Sequence, residues 1–297
     1  MTYGERDSNK PHKTILMVGE TGTGKTKLIN ALINYMLGVK PEDKVWFEIT
    51  DDQSDRTSAH SQTSILTVYG FYLQESPIDL TIIDTPGYGN MHADNEKEIA
   101  MSLLKLSGLD YWLNKIDAVC LVIKATQNRL SDRQIYIFDA VQSLFGKDIV
   151  ENIVLLVTFS HGTHPTNALT AVKDANFQCA VNDKNEPVYF LFDNCQGETF
   201  HEKYQNIQEQ SWNISFGGMT GLFEFFDKTK PKALQMTQNV LQQREQLEET
   251  ILKIKSHIEM IKEKNNLEVE VTYKEKVQID TSKARMAVCC TIWNKLS

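Results

Sequence analysis

The sequence predicts an α/β fold with three layers, in which a mostly parallel sheet with one antiparallel edge strand lies between helices and a long C-terminal helix follows. Three observations predict it. Apolar strand-like runs alternate with helix-patterned runs along most of the chain, which argues for a parallel sheet covered on both faces. The runs 65–72 and 78–83, separated by Leu73-Gln74-Glu75-Ser76-Pro77, read as a hairpin that supplies the antiparallel edge. From Pro231 the composition shifts to Gln, Glu and Lys around a regularly spaced apolar seam. These shifts divide the chain into a polar leader (1–12), a main domain (13–230), a long amphipathic helix (231–266) and a tail (267–297). The tail reads as extended or poorly ordered and ends as if cut in mid-fold.

Taken in order, Thr14 to Val18 is an apolar strand and Lys27 to Leu37 has a helix's apolar spacing. The polar stretch 40–64 reads as a long, mobile loop, which in a compact domain suggests function or disorder. After the hairpin, 96–106 is helical in pattern and Ala118 to Ile123 is a buried strand. Ser131 and Gln134 form a capping box that opens a helix reaching about Phe145. Ile153 to Thr158 is a strand, a helix opened by Pro165 and Thr166 runs to about Ala175, and Val188 to Phe192 is a short strand. In the long helix Val240, Leu247, Ile251, Ile254, Ile258 and Ile261 fall on an a/d seam, interrupted by Arg244. The seam either packs within the chain, which is the preferred reading, or pairs with another chain.

Composition narrows the function classes. The chain has 297 residues, 41% of them hydrophobic, and a formal net charge of -8, so it can bury a core but lacks a broad electrostatic footprint for nucleic acid. No apolar run approaches the roughly 18 residues that span a bilayer, and the start has no signal-peptide core. The expected location is cytoplasmic, without a transmembrane segment. Five cysteines without CxxC spacing read as reduced thiols, although the adjacent Cys289 and Cys290 leave a zinc half-site open.

The chemistry begins at GETGTGKT, residues 19–26, which fits G-x-x-x-x-G-K-[ST] between a strand and a helix. Gly19, Gly22 and Gly24 allow a backbone path that aims successive N–H groups inward, and the helix start adds partial positive charge. Phosphates would thus be lined by Gly19, Glu20, Thr21, Gly22, Thr23, Gly24, Lys25, Thr26 and Lys27. Lys25 would reach the β and γ phosphates, and the Thr26 hydroxyl would ligate Mg2+. Downstream, Asp84-Thr85-Pro86-Gly87 ends a strand. Asp84 would hold magnesium and the Gly87 N–H would meet the γ phosphate, a pairing that points to a GTPase-like switch. The remaining histidines, such as His92, His164 and His201, show no ligand spacing.

These two motifs, with LVIKATQNRLSDRQ, VTFSHG and FLFDNC, resemble the septin-like branch of P-loop GTPases. Within it the likeness is nearest to the immunity-associated-protein GTPases, and the plant chloroplast-import receptor GTPases are close relatives. The resemblance covers roughly residues 13–230 and implies the P-loop GTPase-type fold, with GTP/GDP and Mg2+ as cofactors. It also implies a magnesium-contacting threonine in the mobile loop, best matched by Thr63 and next by Thr57. It further implies a homodimer across the nucleotide face, to which Arg129 would contribute in trans. The base-reading pattern of the family, Thr-Lys-x-Asp, stands here as Thr158-Phe159-Ser160-His161. Neutral histidine has one acceptor and cannot take both guanine N–H bonds. Asp193 could supply that carboxylate, with Asn194 on O6 and Phe159 against the base. Tyr88 stands where Ras-like enzymes carry a water-orienting glutamine, so hydrolysis should be slow. The expected function is a guanine-nucleotide-binding protein with slow magnesium-dependent hydrolysis that controls dimerisation or binding of an unknown protein partner. The alternatives are a non-hydrolysing scaffold and, ranked lower, an ATPase.

Overall fold

The structure is a computed structural model that describes residues 1–43, 45–49, 66–85, 115–129, 149–197, 202–233 and 235–265. Two compact units make up the chain, Met1–Leu241 and Gln242–Ser297. The first is built on a seven-stranded sheet. Its strands are β1 (Thr2–Gly4), β2 (His12–Gly19), β3 (Thr67–Tyr72), β4 (Asp79–Asp84), β6 (Ala118–Lys124), β7 (Ile153–Thr158) and β8 (Tyr189–Leu191), in the order β1-β3-β4-β2-β6-β7-β8. Every pairing is parallel except β3 with β4. A separate two-stranded pair joins β5 (Lys115–Ile116) to β9 (Lys232–Ala233).

Continuous apolar runs make the central strands. All of Ile153–Thr158 and all of Asp79–Asp84 are buried, as strands covered on both faces must be. Alternate side chains feed two cores. Leu16, Val18, Leu121, Ile123, Leu155 and Val157 pack on one face with α2 (Thr166–Asp174). Ile15, Met17, Cys120, Val122, Val154 and Leu156 pack on the other with α1 (Lys25–Met36) and α3 (Gln205–Lys228). The result is the three-layer α/β arrangement that the sequence predicts.

The structure adds four things to the sequence reading. The leader 1–12 contributes β1, which lies outside β3, so the antiparallel strand of the hairpin sits one place in from the edge. Helix α3, 24 residues long, has no counterpart in the sequence reading, because Gly217, Gly218 and Gly221 interrupt its pattern. Beyond residue 230 a short strand, β9, precedes the long helix α4 (Gln235–Asn265). On α4 the seam residues Leu247, Ile254 and Ile261 are 47–55% exposed.

Within the polar stretch 40–64, residues 45–49 are laid along α1 by two buried asparagines. Asn34 donates to Phe47 O (2.7 Å) and accepts from Phe47 N (2.9 Å), and Asn30 accepts from Ile49 N (3.0 Å). Trp46 then meets Trp212 of α3 edge to face. The expected helices 96–106 and 131–145, the tail 267–297 and Cys289 and Cys290 lie outside the described residues. No helix among the described residues is long and apolar enough to cross a membrane.

Candidate functional site

The candidate site is assembled where the carboxyl ends of β2, β4, β6 and β7 meet the start of α1. The backbone leaves β2 at Gly19 and turns through a loop whose Gly24 has φ 86°, a left-handed conformation that costs most other residues strain. Space makes the same demand. A Cβ on Gly24 would lie 2.6 Å from Asn194 Nδ2 and 3.3 Å from Phe159 Cζ. The loop is tied down from three directions: Thr23 donates through both N–H and hydroxyl to Glu20 O, Thr158 Oγ1 donates to Thr23 O (2.6 Å), and Asn194 Nδ2 donates to Gly24 O (3.2 Å).

Lys25 is buried, and its Nζ donates to Gly19 O (2.8 Å) and Glu20 O (3.4 Å). Burial pushes its amine below the ordinary lysine value, while the negative charges of Asp84 and Glu20 pull it back. Asp84 ends β4 beside Met17 of β2 and is 1% exposed. Burial raises its carboxyl to about 6 against the opposing pull of Lys25. Its Oδ1 is buried and has no hydrogen-bond partner among the described residues. Next to it Thr85 is fixed through its hydroxyl and N–H to Met17 O. Thr26 and Lys27 are exposed at the start of α1. A buried carboxylate oxygen without a donor, close to an ammonium and an open helix start, suits a hard cation with oxygen ligands.

The residues expected to meet a base converge on the same end of the loop. Phe159 has φ 52°, unusual for a bulky residue, and its ring lies against Gly24. That turn is held by Ser160 N donating to Phe192 O (3.0 Å) and Gly162 N to Ser160 Oγ (3.2 Å). His161 is exposed. Asp193 is half-buried, its N–H donating to Ser215 Oγ of α3. Asn194 is buried with φ 64°; one N–H of its amide serves Gly24 O, and its Oδ1 has no partner among the described residues. Arg129 is exposed after β6, and Gln127 Nε2 donates to its carbonyl. Thr63, its second choice Thr57, Gly87 and Tyr88 lie outside the described residues. The sequence reading passed over Lys124, the last residue of β6, whose ammonium lies near Gly22; a lysine closing an apolar strand gives no signal of that kind.

The model of the AIG1 family matches residues 13–211, a span that takes in the phosphate loop, Asp84, Arg129 and both base-side loops. The chain belongs to the AIG1 family. Membership agrees with the group of P-loop GTPases that its motifs resemble. No curated protein matches this AIG1-family chain. Among solved structures it is similar to Toc33 from Arabidopsis thaliana in complex with GDP and Mg2+, with 16% identity over 70% of this chain and 85% of that one, at a TM-score of 0.44. It is likewise similar to Toc33 in complex with Mg2+ and GMPPNP, with 16% identity over 70% of this chain and 86% of that one, at a TM-score of 0.42.

Proposed function

We propose that the protein binds a guanine nucleotide with Mg2+, hydrolyses GTP slowly, and uses the nucleotide state to control dimerisation or partner binding. The observation that carries this is the phosphate loop itself, with Lys25 buried against its carbonyls and Asp84 left with an orphaned oxygen beside it. The loop N–H groups and the start of α1 receive the phosphates, and Lys25 neutralises their charge. The Thr26 hydroxyl and Asp84 hold the magnesium, with Thr63 proposed as a further ligand. Bound there, the ion would supply positive charge against the phosphates as charge develops on them. Gly87 couples the γ phosphate to the segment that follows it.

Base selection is proposed to have moved from the loop after β7 to the loop after β8. Asp193 takes the two guanine N–H bonds that His161 cannot, the remaining N–H of Asn194 meets O6, and Phe159 lies along the ring. The convergence of Phe159 and Asn194 on Gly24 supports this, because it sets both at the mouth of one loop. Arg129, exposed after β6, is proposed to reach the nucleotide of a second copy. Without a glutamine at Tyr88 to orient water, the partner's charge would supply what the chain lacks.

Binding of GTP and ATP and single-turnover hydrolysis with Mg2+ test the proposal. Wild type is expected to prefer GTP and to release phosphate slowly, Lys25→Ala to lose binding of both, and Asp193→Ala to lose the preference. His161→Asp should leave the GTP to ATP ratio of wild type nearly unchanged, and should restore by about tenfold or more the preference that Asp193→Ala loses. Arg129→Ala should abolish any rise in specific rate with protein concentration. Tight binding without phosphate release at dimer-forming concentrations would leave the scaffold reading and sink the enzyme.

A further inference from the structure

A second ammonium group stands at the crest of the loop. Lys124 pairs in register with Thr158 of the neighbouring strand, the residue whose hydroxyl grips Thr23 O. Two adjacent strand ends thus address two adjacent loop residues. Thr158 holds Thr23, and Lys124 Nζ lies 3.9 Å from where a side chain on Gly22 would begin. Apart from Gly22 and its two chain neighbours, no other described heavy atom lies within 4 Å of that position.

The charge balance of the two lysines differs. Lys25 is folded onto Gly19 O and Glu20 O and is matched by the negative charges of Asp84 and Glu20. Lys124 is half-buried, and among the described residues its ammonium forms no ion pair and no hydrogen bond. A partly desolvated cation without an anion is unfavourable until an anion arrives, and here it borders the chain's anion-binding loop.

We infer that Lys124 is a second phosphate-binding cation, reaching the polyphosphate of a bound nucleotide over Gly22 from the end of β6. The inference rests on the nucleotide reading above and adds to it a residue outside the loop motif. An ammonium on a flexible stem acts as a point charge, so it should serve any nucleoside polyphosphate whatever its base.

The test measures GTP binding with Mg2+ at low and high salt for wild type, Lys124→Met and Lys124→Arg. Lys124→Met is expected to bind about tenfold more weakly at low salt, the loss of one charge-assisted contact. Its affinity should also fall less steeply with salt than that of wild type, a change that a packing role would not produce. Lys124→Arg should recover most of both. Acylation of surface amines on wild type gives a readout without a variant: saturating GTP with Mg2+ should protect Lys124. Unchanged affinity and salt dependence in Lys124→Met, or unprotected Lys124 at saturation, overturns the inference while leaving the nucleotide reading intact. Failure of wild type to bind either GTP or ATP takes both down.

Discussion

Asp84 is a carboxylate whose ionisation the fold opposes. Its carboxyl titrates near 3.8 when unfolded and about 6 in the fold, raised by burial and lowered in part by Lys25. Between these values the folded protein holds a proton that the unfolded chain has released. The group's favourable contribution is therefore full below pH 3.8 and is lost as pH rises through 6. Asparagine carries no such charge. In metal-free and nucleotide-free protein, the stability gap between Asp84→Asn and wild type should widen by roughly 1–2 kcal/mol between about pH 5 and pH 7.5, in favour of the variant. Denaturant titrations at the two pH values check this, and a gap that stays constant counts against a strained carboxylate. Magnesium with nucleotide should close the gap, since a cation beside the carboxylate stabilises its charged form. Asp84 was legible in the sequence because DTPG ends an apolar strand. The contact of Asn194 with Gly24 was not, because it depends on where the loop after β8 lies beside a loop 170 residues earlier in the chain.

Helix α3 shows why one long element escaped the sequence. Glycine weakens a helix by roughly 1 kcal/mol relative to alanine, so a run with Gly217, Gly218 and Gly221 reads as a break. Packing supplies the reason most strongly for Gly218, and to a lesser degree for Gly221, whose Cβ would lie 3.1 Å from the Phe190 ring. A Cβ on Gly218 would lie 2.2 Å from Leu191 O and 2.9 Å from Phe192 Cε1, so the helix backbone comes directly against β8. Gly217 has nothing within 4 Å of its Cβ position. Neighbouring alanine substitutions should therefore have opposite signs. Gly218→Ala should destabilise by about 2 kcal/mol or more, through forced separation of α3 from the sheet. Gly217→Ala should stabilise by up to about 1 kcal/mol through propensity alone. Equilibrium urea unfolding of both variants checks the pair, and equal effects would mean that α3 does not approach β8 this closely. The shift should reach the site, because Ser215 on the same helix accepts from Asp193 N and Gln196 Nε2 donates to it. By contrast α1, α2 and strands β2, β4, β6 and β7 were legible, since their apolar patterns agree with burial.

At the scale of the molecule, strand pairings cross both of the boundaries that composition draws. Composition marks residues 1–12 only as a polar leader, yet β1 covers the outer edge of β3, and Tyr3 stacks on Phe71 with ring centroids 5.4 Å apart. Further along, Asp7 N donates to Asp79 Oδ2, Lys10 Nζ to Leu73 O, and Asp79 N to Pro11 O. At the other end, β9, which lies beyond residue 230, pairs with β5. Polar side chains in exposed segments give no periodic signal of such backbone pairing, so a boundary drawn from composition at 13–230 leaves out bonds that the compact unit Met1–Leu241 retains. We propose the larger unit as the functional one. A chain of residues 1–241 should keep the nucleotide affinity of the full chain and melt within about 2 °C of it, as expected of a unit that keeps the whole seven-stranded sheet. A chain of residues 13–230 should melt several degrees lower, at roughly 2–4 °C per kcal/mol lost. It should also associate at high concentration, because the unpaired edge of β3 is a template for another strand. Thermal melts of the three chains, with sedimentation of the shortest, decide it, and equal melting temperatures for 13–230 and 1–241 would return the boundary to where composition drew it.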